Sequence, residues 1–287
     1  MKSKNRPIIA GIGELLWDMF PTGKKAGGAP VNFAYHAAGS GAESYAISAI
    51  GNDELGEEIM DLINGIGINH LIAKVGYPTG TVKVELSQGV PSYTITEEVA
   101  WDYIPLTTSI KEVARKVDAV CFGTLAQRST TSRETIRKFL SLVPRESFRI
   151  LDINLRPPFY SPSLIEESVR QCNILKLNDE ELEILKEILP IGTTDNRDSC
   201  KWLMDTYNLK YLILTAGADY SMVFSPETIS FLETPKVEVV DTVGAGDSFT
   251  GTFITSLLTG ETLKRAHRSA VDRAAAVCTV AGAWTKM

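Results

Sequence analysis

Asp241-Thr242-Val243-Gly244-Ala245-Gly246-Asp247-Ser248-Phe249 is the stretch on which the reading of this chain turns. Val237, Val239 and Val240 lead into it and predict a strand. Gly244 and Gly246, one residue apart, let the backbone turn tightly and present consecutive amides. Phe249, Phe253, Ile254, Leu257 and Leu258 then recur at helical spacing. A strand, a glycine turn and a helix start together make an anion site, because first-turn amides and the helix dipole both favour negative charge. Asp247 falls at that positive end, where a carboxylate stays ionised and can take a proton from a hydroxyl beside an incoming phosphate. The plainer reading is an ordinary strand-to-helix turn in which Asp247 only balances the dipole.

Composition bounds the alternatives. The chain has 287 residues, 44% hydrophobic and 22% charged, enough for one large α/β domain or two smaller ones with a substantial core. A net charge of -6 argues against a broad nucleic-acid-binding surface, so a phosphate site must be local. No apolar run reaches the ~18 residues of a membrane span. Met1 to Arg6 is basic but leads into a short strand-like segment without a signal-peptide core. Cys121, Cys172, Cys200 and Cys278 are scattered, as expected of thiols in a reducing cytoplasm. His36, His70 and His267 lack metal-ligand spacing and read as structural.

From the deciding stretch outward, strand-like and helical patterns alternate. Ile8 to Phe20 reads as a strand entering a loop, Pro30 to Ala38 as a helix, 42–50 as a strand and 54–66 as a helix. Thr81 to Ser87 and Ser92 to Thr96 switch to period two, with Val82, Val84, Leu86, Tyr93 and Ile95 on apolar faces, which predicts a small antiparallel sheet. Strands near 118–122, 149–153, 172–176 and 211–215 then alternate with helices. The expected fold is α/β, a doubly wound, mostly parallel sheet flanked by helices, in a single domain over 1–287. The period-two segment is an excursion from that domain. Ligands of such sheets bind at the carboxyl ends of the strands, where a small sheet could close and exclude water.

Other motifs fall at those ends. Asn178 and Glu181 in Asn178-Asp179-Glu180-Glu181 form a capping-box pattern at the start of a helix. Asp18 follows Leu15-Leu16-Trp17 and can accept bonds from two neighbouring hydroxyls, or be a solvated loop aspartate. Gly27 and Gly28 permit close backbone approach, and Asn32 can both donate and accept. Arg156, after Asp152-Ile153-Asn154-Leu155, can brace an anion or pair with Asp152. Lys24 and Lys25 read as solvated. P-loop, dinucleotide-fingerprint and protein-kinase motifs are missing.

The segment from Asp241 to Phe249 resembles the C-terminal signature of the ribokinase-like (PfkB) family of sugar kinases. Gly27-Gly28-Ala29-Pro30-Val31-Asn32-Phe33-Ala34 and Ala49-Ile50-Gly51-Asn52-Asp53-Glu54-Leu55-Gly56 resemble its N-terminal signature, in the family's order. The similarity runs from about Pro7 to Ala283, and the Asp152 to Arg156 block is most similar to fructokinases and ketodeoxygluconate kinases. The resemblance implies an ATP- and Mg2+-dependent kinase whose base is Asp247 and whose anion hole is Gly244, Ala245 and Gly246. It places the sugar on Asp18, Gly28, Asn32 and Arg156, and the nucleotide near Asn178 and the Thr215-Ala216-Gly217 turn. Glu181 would organise magnesium through water, and Asp241 would be the anionic ligand of a monovalent cation such as K+. Segments of about 12–25 and 70–100 would form a β lid, which in some relatives also pairs two subunits into a homodimer. Val243 and Tyr220 depart from the family's usual threonine and glycine. The implied enzyme is a cytoplasmic fructokinase, acting on a small sugar and on neither nucleic acid nor membrane. Other sugars (2-keto-3-deoxygluconate, another ketose, ribose or a nucleoside) and a catalytically silent sugar-binding regulator remain as alternatives.

Overall fold

The computed structural model describes residues 6–87 and 90–284; within this span, side chains of 84–93 are not described. The chain opens with β1 (Ile8–Ile12), β2 (Leu16–Phe20) and β3 (Gly23–Gly27), then α1 (Ala29–Gly39), β4 (Glu43–Gly51) and α2 (Glu54–Gly65). β5 (Asn69–Val75), β6 (Gly80–Ser87) and β7 (Val90–Ile95) follow, and then α3 (Thr108–Ala114), β8 (Ala119–Phe122), α4 (Thr130–Leu142), β9 (Phe148–Asp152) and α5 (Pro162–Gln171). β10 (Ile174–Asn178), α6 (Asp179–Ile188), α7 (Asn196–Tyr207) and β11 (Tyr211–Ala216) come next. The hairpin β12 (Tyr220–Phe224) and β13 (Ile229–Glu233) precedes α8 (Ala245–Leu258) and α9 (Leu263–Cys278).

Nine of these strands form one sheet in the order β13-β12-β11-β10-β9-β8-β1-β4-β5. The pairs from β11 through β5 are parallel, and the β12–β13 hairpin adds an antiparallel edge. Strands buried on both faces read as continuous apolar runs, as Ile174-Leu175 and Leu212-Ile213-Leu214 do. One face packs Ile9, Ile150 and Ile213 against Phe33 of α1, Phe253 of α8 and Ala270 of α9. The other packs Phe122, Leu151 and Leu177 against Ile136 and Phe139 of α4 and Leu182 of α6. This mostly parallel, helix-flanked sheet is the expected architecture. Among the described residues no helix is long and apolar enough to cross a membrane.

A separate sheet, in the order β3-β2-β6-β7, is the small inserted sheet expected from the sequence, with three corrections. It is mixed, because β2 pairs with β6 in parallel. Asn69–Val75 belongs to the main sheet beside β4. The segment expected as a loop before Gly23 is instead the β2–β3 hairpin, legible poorly because Asp18, Lys24 and Lys25 break its apolar pattern. The side-chain alternation read at Val84, Leu86 and Tyr93 lies outside the described residues, as do Met1 to Asn5.

The lead-in to the deciding stretch also differs. Val237, Val239 and Val240 form no strand; they are 38%, 60% and 62% exposed in a loop. β13 already takes the open side of β12, and the loop's amide at Val240 turns away to donate to the carbonyl of Cys278 at the end of α9. High β-propensity does not make a strand without a partner.

The helix after the turn is more central than its periodicity indicated. Ser248 to Thr255 of α8 are all buried. Gly251 makes that possible: a Cβ there would lie 2.7 Å from the carbonyl oxygen of Phe33, so α1 and α8 meet backbone to backbone. That close crossing sets the first turn of α1 beside the first turn of α8.

Candidate active site

The site begins at the N-terminus of α8. Gly244, at φ 79°, is left-handed, which suits glycine and lets the chain enter the helix abruptly. Ser248 donates its amide to the Gly244 carbonyl, and Ala245 donates its own to the Thr242 carbonyl at 3.2 Å, which corrects the expected place of Ala245 in the anion hole and leaves the Gly244 and Gly246 amides for an anion. Asp247 stands in that first turn. Asn32 of α1 donates from Nδ2 to Asp247 Oδ2 at 2.8 Å, and Trp284 donates from Nε1 to Asn32 Oδ1 at 2.8 Å. Asn32 is thereby fixed in one orientation: its amide group serves Asp247 and its carbonyl serves Trp284.

The electrostatics around Asp247 are unusual for an aspartate. Burial, then the nearby charge of Asp152, push its carboxyl up to about 7, with Asn32 and Lys176 pulling the other way and Glu14 adding to the rise. A base with a pKa near neutrality combines an available ionised form with real proton affinity. Lys176 is the buried cation of the centre, with Nζ 3.1 Å from Asp152 Oδ1. Burial alone would lower its pKa, but Asp152, Glu181 and Asp247 outweigh that and hold it above the ordinary lysine range. Its ammonium lies under the glycine turn, since a Cβ on Gly246 would come within 3.0 Å of Nζ.

Lys176 was not singled out from the sequence, where it is one polar residue inside the apolar run Ile174 to Leu177. Its partner is Asp152, so of the two readings of Arg156 the pairing with Asp152 is not the one formed. Arg156 is exposed and donates to the Leu155 carbonyl. Its charge still reaches Asp18 and Glu14, lowering the pKa of each against the larger effect of burial. Glu14 is a second residue that patterning missed. It is 3% exposed, its Oε2 has no hydrogen-bond partner, and burial lifts its pKa. It follows β1 and abuts Gly28, whose added Cβ would strike the Glu14 carbonyl at 2.2 Å.

Asp18 lies on β2 of the small sheet. Burial raises its carboxyl to about 6, with Arg156 opposing and Asp241 reinforcing the rise. Arg156 acts electrostatically on Asp18, a Cβ on Gly27, next to Gly28, would come 3.3 Å from Asp18 Oδ2, and Asn32 bonds Asp247. On the opposite side, Asn178 ends β10 and pairs in register with Thr215 at the end of β11, and Gly217 begins the following turn in the left-handed region. These three come from adjacent strand ends, as sites on parallel sheets do.

Glu181 forms the capping box read from the sequence: Asn178 Oδ1 accepts from the Glu181 amide at 2.7 Å, and Glu181 Oε2 accepts from the Asn178 amide at 2.8 Å. Its Oε1 accepts from the Leu155 amide at 2.9 Å. Both oxygens are thus held by backbone while Glu181 remains 5% exposed. Among the described residues no three His, Cys, Asp or Glu side chains are grouped to hold a metal directly. His36 donates from Nε2 to the Ala283 carbonyl at 3.0 Å, and His267 lies between the Ser221 and Ser230 hydroxyls, so both histidines are held by structural hydrogen bonds. All four cysteines are free thiols.

Residues 13–287 match the pfkB family of carbohydrate kinases. A protein of Pyrococcus horikoshii described as an uncharacterized sugar kinase is 26% identical over 270 residues, covering 88% of this chain and 83% of its own. Its structure in complex with ATP superposes with a TM-score of 0.82 over 96% of this chain and 94% of its own, at 26% identity. A fructokinase of Rhizobium leguminosarum bv. trifolii is 25% identical over 285 residues, 93% of this chain and 85% of its own. A double-mutant fructokinase of Vibrio cholerae O395, with fructose, ADP and a potassium ion bound, is 20% identical and has the same fold. Its TM-score is 0.84 over 99% of this chain and 96% of that one.

Proposed function

The chain belongs to the pfkB family of carbohydrate kinases, and on that premise we propose that it transfers the γ-phosphate of ATP to a primary hydroxyl of a sugar, that on C6 of fructose, giving fructose 6-phosphate. One observation carries the reading: Asp247, at the amide-bearing end of α8, is bonded to Asn32 from the polar sugar-side region at 2.8 Å. A hydroxyl held on that side reaches the base at the point where the phosphate oxygens meet the Gly244 and Gly246 amides, the Ala245 amide being bonded to the Thr242 carbonyl. Transfer of this kind depends on positioning and charge stabilisation.

In this account Asp18, Gly28, Asn32 and Arg156 hold the sugar, and Asp247 takes the hydroxyl proton at its carboxylate. The amides of the turn, with the Lys176 charge beneath them, stabilise charge on the transferred group. Asn178, Thr215 and Gly217 face the nucleotide, whose base can lie on the exposed valines at 237–240. Magnesium fits this chain as a water-separated ion: Glu181 has both oxygens on backbone amides yet keeps a lone pair on each, so with Asn178 it can orient waters. When bound, magnesium supplies charge neutralisation on the phosphates. The small sheet acts as a lid that keeps water from competing with the sugar, and its outer face could pair two subunits.

The test is ADP release with fructose, ribose, 2-keto-3-deoxygluconate and adenosine. Fructose should give the highest kcat/KM. A higher value for another acceptor rejects fructose, and no release with any of them rejects this placement of the site.

Two further outcomes follow. Because Asp247 must be ionised to accept a proton and its pKa is about 7, kcat/KM should rise with pH through that value. Below it the rate should fall by about tenfold per pH unit. A pH–rate profile with its acid midpoint below 5 would contradict Asp247 as the base, since that is near an ordinary aspartate's value, ~4. Glu181→Gln must turn its NH2 toward one of two backbone amides. It should lose about 1–3 kcal/mol of stability, read as a lower melting temperature. Activity measured well below that temperature should also fall and partly return with excess magnesium. Full activity there would leave Glu181 a structural cap.

A further inference from the structure

Lys25 is on β3, directly across the β2–β3 hairpin from Asp18. Its Nζ lies 2.7 Å from Asp241 Oδ2 and 5.3 Å from the centre of the Phe20 ring. Asp241 is in the loop that precedes Gly244, and its side chain is 13% exposed. Its remaining bonds are to backbone: Oδ1 accepts from the Val243 amide at 3.0 Å, and Oδ2 accepts from the Gly282 amide at 2.9 Å. Three donors therefore enclose this carboxylate, and one of them is a full positive charge from the small sheet.

This arrangement does not suit the monovalent cation expected at Asp241. A cation of that kind binds where several oxygens converge to replace its water. Here the one anionic ligand is already neutralised, and an incoming ion would meet an ammonium on the same oxygen. We propose that the Lys25 ammonium takes the place of that ion, making this kinase independent of potassium. As a positioning residue, Lys25 fastens the lid strand that opposes Asp18 to the loop that feeds the anion hole. A tethered ammonium and a bound ion would do the same work, holding Asp241 and thus the entry to the Gly244 turn. The tether adds a link to the sugar side.

The inference rests on the carbohydrate-kinase reading of the site, but its test separates the two. Purified full chain is compared in tetramethylammonium chloride and in potassium chloride at equal ionic strength, by melting temperature and by ADP release with fructose. Wild type should show the same melting temperature in both salts and rates within about twofold. Lys25→Met should lose roughly tenfold or more in kcat in tetramethylammonium, on the scale of a charge-assisted bond. Potassium should restore much of that loss and raise the variant's melting temperature. Lys25→Arg, which keeps a tethered cation, should remain indifferent to potassium. A wild-type melting temperature or rate that climbs with potassium overturns the proposal. So does a Lys25→Met protein that ignores potassium in both measurements. The melting readout needs no turnover, so a wrong sugar would leave the cation question answered.

Discussion

Asp247→Asn is expected to lower kcat by roughly 10²–10⁴-fold with saturating fructose and ATP, the range for loss of a general base. The substitution preserves shape, and its carboxamide oxygen can still accept from Asn32 Nδ2, which now bonds Asp247 Oδ2. Proton acceptance is what disappears. Fructose affinity, measured by calorimetry, should stay close to wild type. Stability supplies an independent readout. Folding raises the Asp247 pKa from 3.8 to about 7, chiefly by burial and secondly through Asp152. Such a group loses stability progressively as pH rises through that interval and stays destabilising above it. At pH above 7 the asparagine variant should therefore melt no lower than wild type. Retention of more than about a tenth of the turnover would remove Asp247 from the role of base.

The second large effect is expected at the other end of the pocket. Asp18→Ala removes a carboxylate that is drawn into the site, with its pKa lifted to about 6 by burial and opposed by Arg156. Each charge-assisted bond to a sugar hydroxyl contributes about 1.5–3 kcal/mol. Loss of two such bonds should raise the KM for fructose by roughly 100-fold or more. These bonds exist before and during transfer, so kcat should fall less, through poorer orientation of the hydroxyl. The KM for ATP should hold, because Asn178, Thr215 and Gly217 lie at other strand ends. A raised KM for ATP with an unchanged KM for fructose would put Asp18 on the wrong side of Asp247.

What the sequence discloses and what it hides divide along the range of the forces involved. The glycine turn and the start of α8 are legible because a local backbone requirement, Gly244 at positive φ, must be met by a particular residue. The Asn178–Glu181 box is legible for the same reason, since both partners lie within one turn. The main sheet shows through its apolar runs. The strand expected over Val237 to Val240 fails because pairing is a tertiary matter, and β12 already has β13 on that side.

Charges that pair across the fold leave no local trace. Lys176 and Asp152 face each other only because β9 and β10 are neighbours in register. Lys25 and Asp241 meet through the docking of the small sheet on the loop before α8, so Lys25 reads from sequence as a solvated lysine. Glu14, with an unpaired Oε2 at 3% exposure, looks in sequence like a polar break after a strand. Trp284 orients Asn32 from the far end of the chain. A lone polar residue inside a buried apolar run, as at Lys176, is the one local signal of these pairings.

The proposed acceptor between Asp247 and the Asp18 region is the C6 hydroxyl of fructose, so fructose 6-phosphate is the expected product. The most direct measurement is the position of the phosphate after incubation with ATP, magnesium and 13C-labelled fructose, read by carbon–phosphorus coupling in NMR. Coupling at C6 is the predicted result. Phosphate at C1, or no phosphorylated sugar while ATP is consumed with a different acceptor, would contradict it.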